Sequence, residues 1–301
     1  MNVKAKALAL CLLLCGAALL STAALADDEK EQIRQTLLAQ INADRAQYGL
    51  SPVELEPLAS TVADYHALEM LAGDYLSHWN EWGLKPYQRY SLAGGYYYTE
   101  ENVFYFEQHP AFDNSAATLT RLCLLGQASF MDEEPPRDGH RRSILNPWHT
   151  HVGIGFAASA NAFRLVEFFT RHWVELSSPA ERVFTLAQQV QVSGRAPTGF
   201  AVQSVAVFFE NLPQPMDLQG KKVAASYSFP PQRRDLFLVL PPPLSYTDGT
   251  RGSISIDGEG NFSFLVPFYQ GVGVYTVVVW LLPAGSQEPI ATTALSLFVV
   301  G

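Results

Sequence analysis

Two histidines and several carboxylates stand in three separated patches: Ser77-His78-Trp79-Asn80, Glu100-Glu101-Asn102, and the run from Gly139-His140 through Ile144-Leu145-Asn146-Pro147. Imidazoles facing carboxylates can hold a divalent cation, shuttle protons, or simply hydrogen-bond one another. None of the patches lies in a strongly helical or strongly alternating stretch, so all three are expected at loop mouths over one cleft. Two neutral imidazoles supply only two strong ligands, whereas durable zinc sites use three or four. The expectation is therefore weak, exchangeable binding of a divalent cation such as zinc by His78 and His140, with glutamates orienting the imidazoles or bound water. The competing reading is a satisfied cluster that ties three loops together.

Positioning these patches requires a scaffold, and its elements can be read from the chain. Ile33, Leu37 and Ile41 recur every four residues before Gly49, which predicts an amphipathic helix with Asp27, Asp28 and Glu29 near its start. A second helix is expected from Leu58 to Leu71, with His66 packed at its edge as a structural histidine. From Gly73 to Tyr98 the pattern is irregular and aromatic, predicting loops and short helical turns. A third helix fits Ser115 to Met131, Pro135-Pro136 breaks the chain, and Val152 to Ala157 and Phe163 to Phe169 read as strands. Helices interleaved with a few strands imply an α+β layer structure.

With Asn42-Ala43-Asp44-Arg45 on the first helix, the three patches make the stretch from about Ile33 to Arg171 resemble the CAP superfamily, the group of cysteine-rich secretory, antigen 5 and pathogenesis-related 1 (SCP-like) proteins. The specific part is Gly-His-Arg-x-x-Ile-Leu-Asn-Pro. The resemblance implies an α-β-α sandwich and a cleft tetrad of His78, Glu101, Glu133 and His140. Glu134 adjoins Glu133 and leaves that placement open by one residue. Glu100 stands where the family usually has glycine and adds a carboxylate beside the cleft. Trp79 and Asn102 are expected to line the ligand space. The resemblance implies sterol, lipid or peptide-like ligands for some members.

Composition and processing bound the rest. At 301 residues, 48% hydrophobic and 16% charged, the chain has material for two cored domains. Lys4 and Lys6, an apolar run from Ala7 to Leu20 and the small-residue exit at Ala24-Leu25-Ala26 read as a secretory signal cleaved before Asp27, leaving no membrane span. The mature chain then carries 18 basic and 29 acidic side chains, a formal charge of about -11, which repels nucleic acid and anionic lipid. Cleavage also removes Cys11 and Cys15, so Cys123, in an apolar run, is a lone buried thiol and no internal disulfide forms. This departs from the disulfide-rich eukaryotic CAP proteins and fits a bacterial source.

The second half differs in kind. Short strand-like runs at Val190–Val192, Ala201–Phe209, Val223–Tyr227, Leu236–Leu240, Ser253–Ile256, Phe262–Val266, Val274–Leu282 and Ala294–Val300 alternate with turn signals, which argues for an all-β sandwich. Gly273-Val274-Tyr275-Thr276-Val277 is similar to the late strand of immunoglobulin-like domains. The expected organisation is a signal over 1–26, the CAP domain over 27–176, a linker over 177–181 and an immunoglobulin-like β-sandwich over 182–301. With no His-Glu-x-x-His and no Gly-x-Ser-x-Gly, a conventional enzyme is not indicated. The first reading is a secreted binding protein whose cleft takes a small molecule, lipid or cation, the β module serving adhesion or spacing toward an unidentified protein. The second is a secreted hydrolase acting on peptide or cell-wall material through the same cleft.

Overall fold

A computed structural model describes residues 26–222, 226–247 and 249–301. The signal-like segment up to Leu25 and Val223–Ala225 of one expected strand lie outside the described residues. Helix α1 (Asp27–Gln47) buries Ile33, Leu37 and Ile41, the four-residue repeat of the sequence. Helix α2 (Pro57–Ala72) starts at a proline and is capped by the Glu56 carboxylate. The aromatic stretch holds one short helix, α3 (Pro86–Leu92), and α4 (Ala116–Met131) is capped by Ser115. Helix α5 (Gly139–Ile144) carries the second histidine.

These helices cover both faces of a four-stranded sheet ordered β1-β3-β4-β2, made of Glu54–Leu55, His151–Ala158, Ala162–Arg171 and Tyr98–Glu107. Period-two alternation on β4 sends Phe163, Leu165 and Phe169 toward α1 and α4, and Val166 and Phe168 toward α2. The result is the α-β-α sandwich that the family resemblance implied. Cys123 is free and fully buried in its core, where burial raises the thiol pKa. Among the described residues no helix is long and apolar enough to cross a membrane.

Helix α2 lies almost on the backbone of β3. A Cβ on Gly155 would sit 2.1 Å from the Ala63 carbonyl carbon, and one on Gly153 would sit 2.3 Å from that of Ala59. The Ser60 hydroxyl also accepts the Ile154 amide at 3.1 Å. The contact is backbone on backbone, so no side chain can yield to a methyl group.

The second half comprises β5 (Glu175–Ser178), β6 (Val183–Thr185), β7 (Val190–Arg195), β8 (Phe200–Glu210), β9 (Leu236–Val239), β10 (Ser255–Ile256), β11 (Asn261–Val266), β12 (Gly273–Pro283), β13 (Ile290–Ala291) and β14 (Leu295–Val300). They form one sheet ordered β10-β11-β7-β5 and another ordered β6-β14-β12-β8-β9, with β13 beside β12. Val192, Phe262 and Phe264 of the first sheet pack against Val205, Val277, Leu295 and Leu297 of the second in one core. Two expectations change. The linker placed at 177–181 begins inside β5, which pairs with β7, so the β half starts directly after the CAP half. Tyr227, expected on a strand, is irregular, and its contacts lie in the first half.

The halves share a broad interface. Ser91 Oγ donates to the Ala294 carbonyl at 3.1 Å and accepts from the Ser296 amide at 2.9 Å, while Leu84 packs with Val274 and Phe298. The Lys85 ammonium is buried in an ion pair with Glu210, which also accepts the Tyr87 hydroxyl at 2.8 Å. At the base of the sheet, the His172 ring stacks between Tyr97 and His151, 3.7 Å from each. Burial, and then the neighbouring His151, lower the His172 pKa to about 3.

Two outcomes follow from these contacts. Gly155→Ala should cost stability at the upper end of the roughly 1–3 kcal/mol typical of overpacked cores, read as a lower urea midpoint at unchanged slope. The stacked histidines set an acid response. Because the folded pKa of His172 lies below the unfolded value of about 6.5, its stabilising neutral form is fully present above pH 6.5 and is lost progressively as pH falls toward 3. Between pH 7 and 4, His172→Phe should therefore lose less melting temperature than the wild type.

Candidate functional site

The N-terminal helix does more than pack. Asn42 clamps the chain before β1, donating to the Val53 carbonyl at 2.9 Å and accepting its amide at 2.8 Å. The fully buried Arg45 guanidinium collects the carbonyls of Ser51 (2.9 Å), Ile144 (2.6 Å), Asn146 (3.0 Å) and His149 (3.3 Å). One side chain thus ties down the turn after α5 that carries Ile144-Leu145-Asn146-Pro147. The chemistry suits arginine, whose planar donors satisfy several carbonyls that the turn leaves unpaired.

Around the edge strand β2, two histidine–glutamate pairs meet. His78, in the loop after α2, places Nδ1 3.0 Å from Glu101 Oε1, and both side chains are buried. His140, on α5, places Nδ1 2.5 Å from Glu133 Oε1 and accepts neither burial nor isolation to the same degree, with about a quarter of each side chain exposed. Glu133 also takes the His140 backbone amide at 2.9 Å, so Glu133 rather than Glu134 faces the cleft. The imidazole centroids lie 6.3 Å apart. The four residues named from the sequence therefore come together.

Glu100 and Glu101 do not stand on a loop mouth, as expected, but on β2, where alternation separates neighbours. Glu101 shares the α2–α3 face with Val103, while Glu100 and Asn102 take the opposite face. Glu100 is engaged with Arg171 at 2.7 Å, His149 at 3.1 Å and Asn146 at 3.3 Å. Burial acts to raise its pKa, but His149, Arg171 and Asn146 together bring it down to about 2. His149 and His151, which an extended chain would point to one side, are thus committed to different partners. Asn102 is buried beneath the cleft rather than lining it, donating to Glu167 and to the His140 carbonyl, each at 3.3 Å. Glu167 is fully buried, and burial raises its pKa to about 8 despite the Asn102 hydrogen bond.

Arg89 is the residue that sequence reasoning missed. From α3 it reaches Glu101 Oε2 at 2.6 Å and donates to the carbonyls of His78 at 2.7 Å and Leu84 at 3.1 Å. Burial pushes the Glu101 carboxyl up, yet Arg89, His66 and His78 outweigh it and hold the group ionised. His66 also sets the loop, with Nε2 2.8 Å from the Ser77 carbonyl. Ser77 Oγ accepts the Trp79 amide at 3.0 Å and caps a turn rather than pairing with His78.

The second missed residue is Tyr227. Its ring lies 4.6 Å from that of His78, and its hydroxyl accepts the Glu101 amide at 2.7 Å and reaches the Glu101 carbonyl at 3.4 Å. Trp79, half-buried, donates its Nε1 to the Ser226 carbonyl at 3.1 Å.

The sandwich thus brings a His–Glu pair from each side of the sheet to the edge of β2. Residues 38–174 match the model of the cysteine-rich secretory protein family, CAP. This part of the chain is a CAP domain. No curated protein matches the chain. Among solved structures, it is similar to an extracellular protein containing an SCP domain from Bacillus anthracis, at 22% identity over 50% of this chain and 45% of that one, with a TM-score of 0.35. It is also similar to an outer surface protein from Borrelia burgdorferi, at 15% identity over 46% of this chain and 92% of that one, TM-score 0.36. A third is a cysteine-rich secretory protein from Staphylococcus aureus, at 19% identity over 49% and 41% respectively, TM-score 0.31. The chain spans less than half of the first of these structures.

The buried pair generates a test of the site's construction. Arg89→Met removes the only cation bonded to Glu101 among the described residues and should destabilise the protein by about 3–5 kcal/mol, as uncompensated buried charges do. Glu101→Gln, which leaves a hydrogen-bonding amide, should cost less in the same urea titration.

Proposed function

We propose that the protein is an exported binding protein whose CAP cleft holds a small ligand or a divalent cation between His78 and His140. The observation that carries the reading is the shared use of Nδ1. Each imidazole gives that nitrogen to a glutamate, which fixes the tautomer with Nδ1–H donating and leaves Nε2 as the lone-pair donor. The same carboxylate–imidazole pairing supports metal-ligating histidines elsewhere.

The donor set fits a loosely held cation and not a structural one. Among the described residues no group of three or more His, Cys, Asp or Glu side chains is placed to hold a metal. A cation such as zinc would take His78 and His140 and complete its shell with water or ligand oxygen, serving there as a Lewis acid. Glu101 and Glu133 would keep the rings aimed. Export rests on the signal-like leader. We read the β half as an immunoglobulin-like adhesion or spacer module, supported by its two packed sheets.

Titration calorimetry with zinc chloride near neutral pH tests the cleft. The wild type should bind one zinc with micromolar or weaker affinity, and His78→Ala/His140→Ala should lose it while keeping a cooperative melt. Equal binding by both proteins would refute the assignment.

A further inference from the structure

Strands β8 and β9 are antiparallel neighbours, paired from Val205–Val239 to Phe208–Leu236. Such neighbours need only two to five connecting residues. Here residues 211–235 connect them, and within that connection Ser226–Phe229 contacts residues of the CAP half. Connections this long inside a compact fold are uncommon and are usually functional loops or linker segments.

Its contacts are those of a bound peptide. Backbone carbonyls of Ser226 and Ser228 accept from Trp79 Nε1 and Lys85 Nζ, each at 3.1 Å. Alternate side chains turn inward. The Tyr227 ring meets His78 at a tilt, 4.6 Å away, and Phe229 packs against Tyr87 at 5.0 Å and Tyr98 at 6.2 Å while stacking on Phe208 of β8 at 4.7 Å. The Tyr227 hydroxyl engages both the amide and the carbonyl of Glu101 at the open edge of β2. A cavity of about 470 Å³ remains between these residues and His78, Tyr87, Tyr98 and Glu100. The fit is therefore incomplete, unlike a core contact.

We propose that this groove along the outer edge of β2 is a receptor for an extended peptide bearing aromatic side chains at alternate positions, and that Ser226–Phe229 is its tethered occupant. Recognition uses main-chain carbonyls, an edge-strand contact and two aromatic pockets, the usual division between affinity and specificity in strand recognition. The groove adjoins the tetrad but does not require that the tetrad bind a cation. A tethered segment competes at an effective concentration on the order of millimolar, so a free peptide enters only when the strap is weakened.

The test uses a fluorescently labelled peptide of the chain's own Ser226–Pro231 sequence, titrated by anisotropy into the full chain. Tyr227→Ala/Phe229→Ala should bind it saturably and at least tenfold more tightly than the wild type, and should ignore a peptide with both aromatics replaced by alanine. Equal affinity for both proteins, equal affinity for both peptides, or no binding to a cooperatively melting double variant overturns the proposal. Should the double variant fail to fold, Tyr227→Phe, which keeps the ring and loses the Glu101 contacts, is judged by the same titration and the same criteria. Neither titration contains metal, so failure here is separate from failure of the cation reading.

Discussion

The salt bridge between Arg89 and Glu101 is the interaction on which the cleft depends. A carboxylate buried as completely as Glu101 would take up a proton if it stood alone, because desolvation disfavours its charge. Arg89 keeps it ionised, and an ionised Glu101 accepts a hydrogen bond from His78 Nδ1–H instead of donating one. The guanidinium also gathers the carbonyls of His78 and Leu84, so one cation fixes the loop's shape, the glutamate's charge and the histidine's tautomer. The loop in turn delivers Lys85 to Glu210 of the β half. Local charge pairing inside the first domain thus sets where the second domain docks.

The two His–Glu pairs are built unequally. His78 and Glu101 come from the α2–α3 side and are buried, whereas His140 and Glu133 come from the α4–α5 side and remain partly in water. They meet because β2 is an edge strand, so side chains from opposite layers can reach around it. The buried pair is held by Arg89 and Tyr227, the exposed one by backbone amides of its own short helix. A ligand entering between the imidazoles would find one rigid wall and one adjustable wall. Low dielectric strengthens the buried pair's electrostatics and makes that wall costly to disturb.

Much of this was legible in the sequence. The helix repeats, the strand runs and the four tetrad residues follow from periodicity and motif, because burial of one face imposes a period and because a family motif fixes residue types. What escaped is instructive. Glu100-Glu101-Asn102 carries polar residues on both faces of a strand, which erases the alternation that would have revealed β2. Arg89 offered a lone charge whose partner lies 12 positions away on another element, and Tyr227 lies 126 positions from the backbone it contacts. No local pattern encodes such pairings. The boundary at Ser177-Ser178-Pro179 read as a linker for the opposite reason: small polar residues suit an edge strand as well as a tether, and β5 is an edge strand.

The open side of β2 explains why the two halves belong together. An unpaired strand edge invites association with other chains, and proteins normally blunt it with charge, a bulge or a covering segment. In this chain the cover comes from the β half, and a single tyrosine hydroxyl serves both the amide and the carbonyl of Glu101. Because the covering segment is held by two carbonyl contacts and two aromatic rings over an unfilled cavity, it satisfies the edge without sealing it as a strand would. The β half is therefore one wall of the cleft, and any ligand that reaches His78 from that side must pass a surface contributed by it.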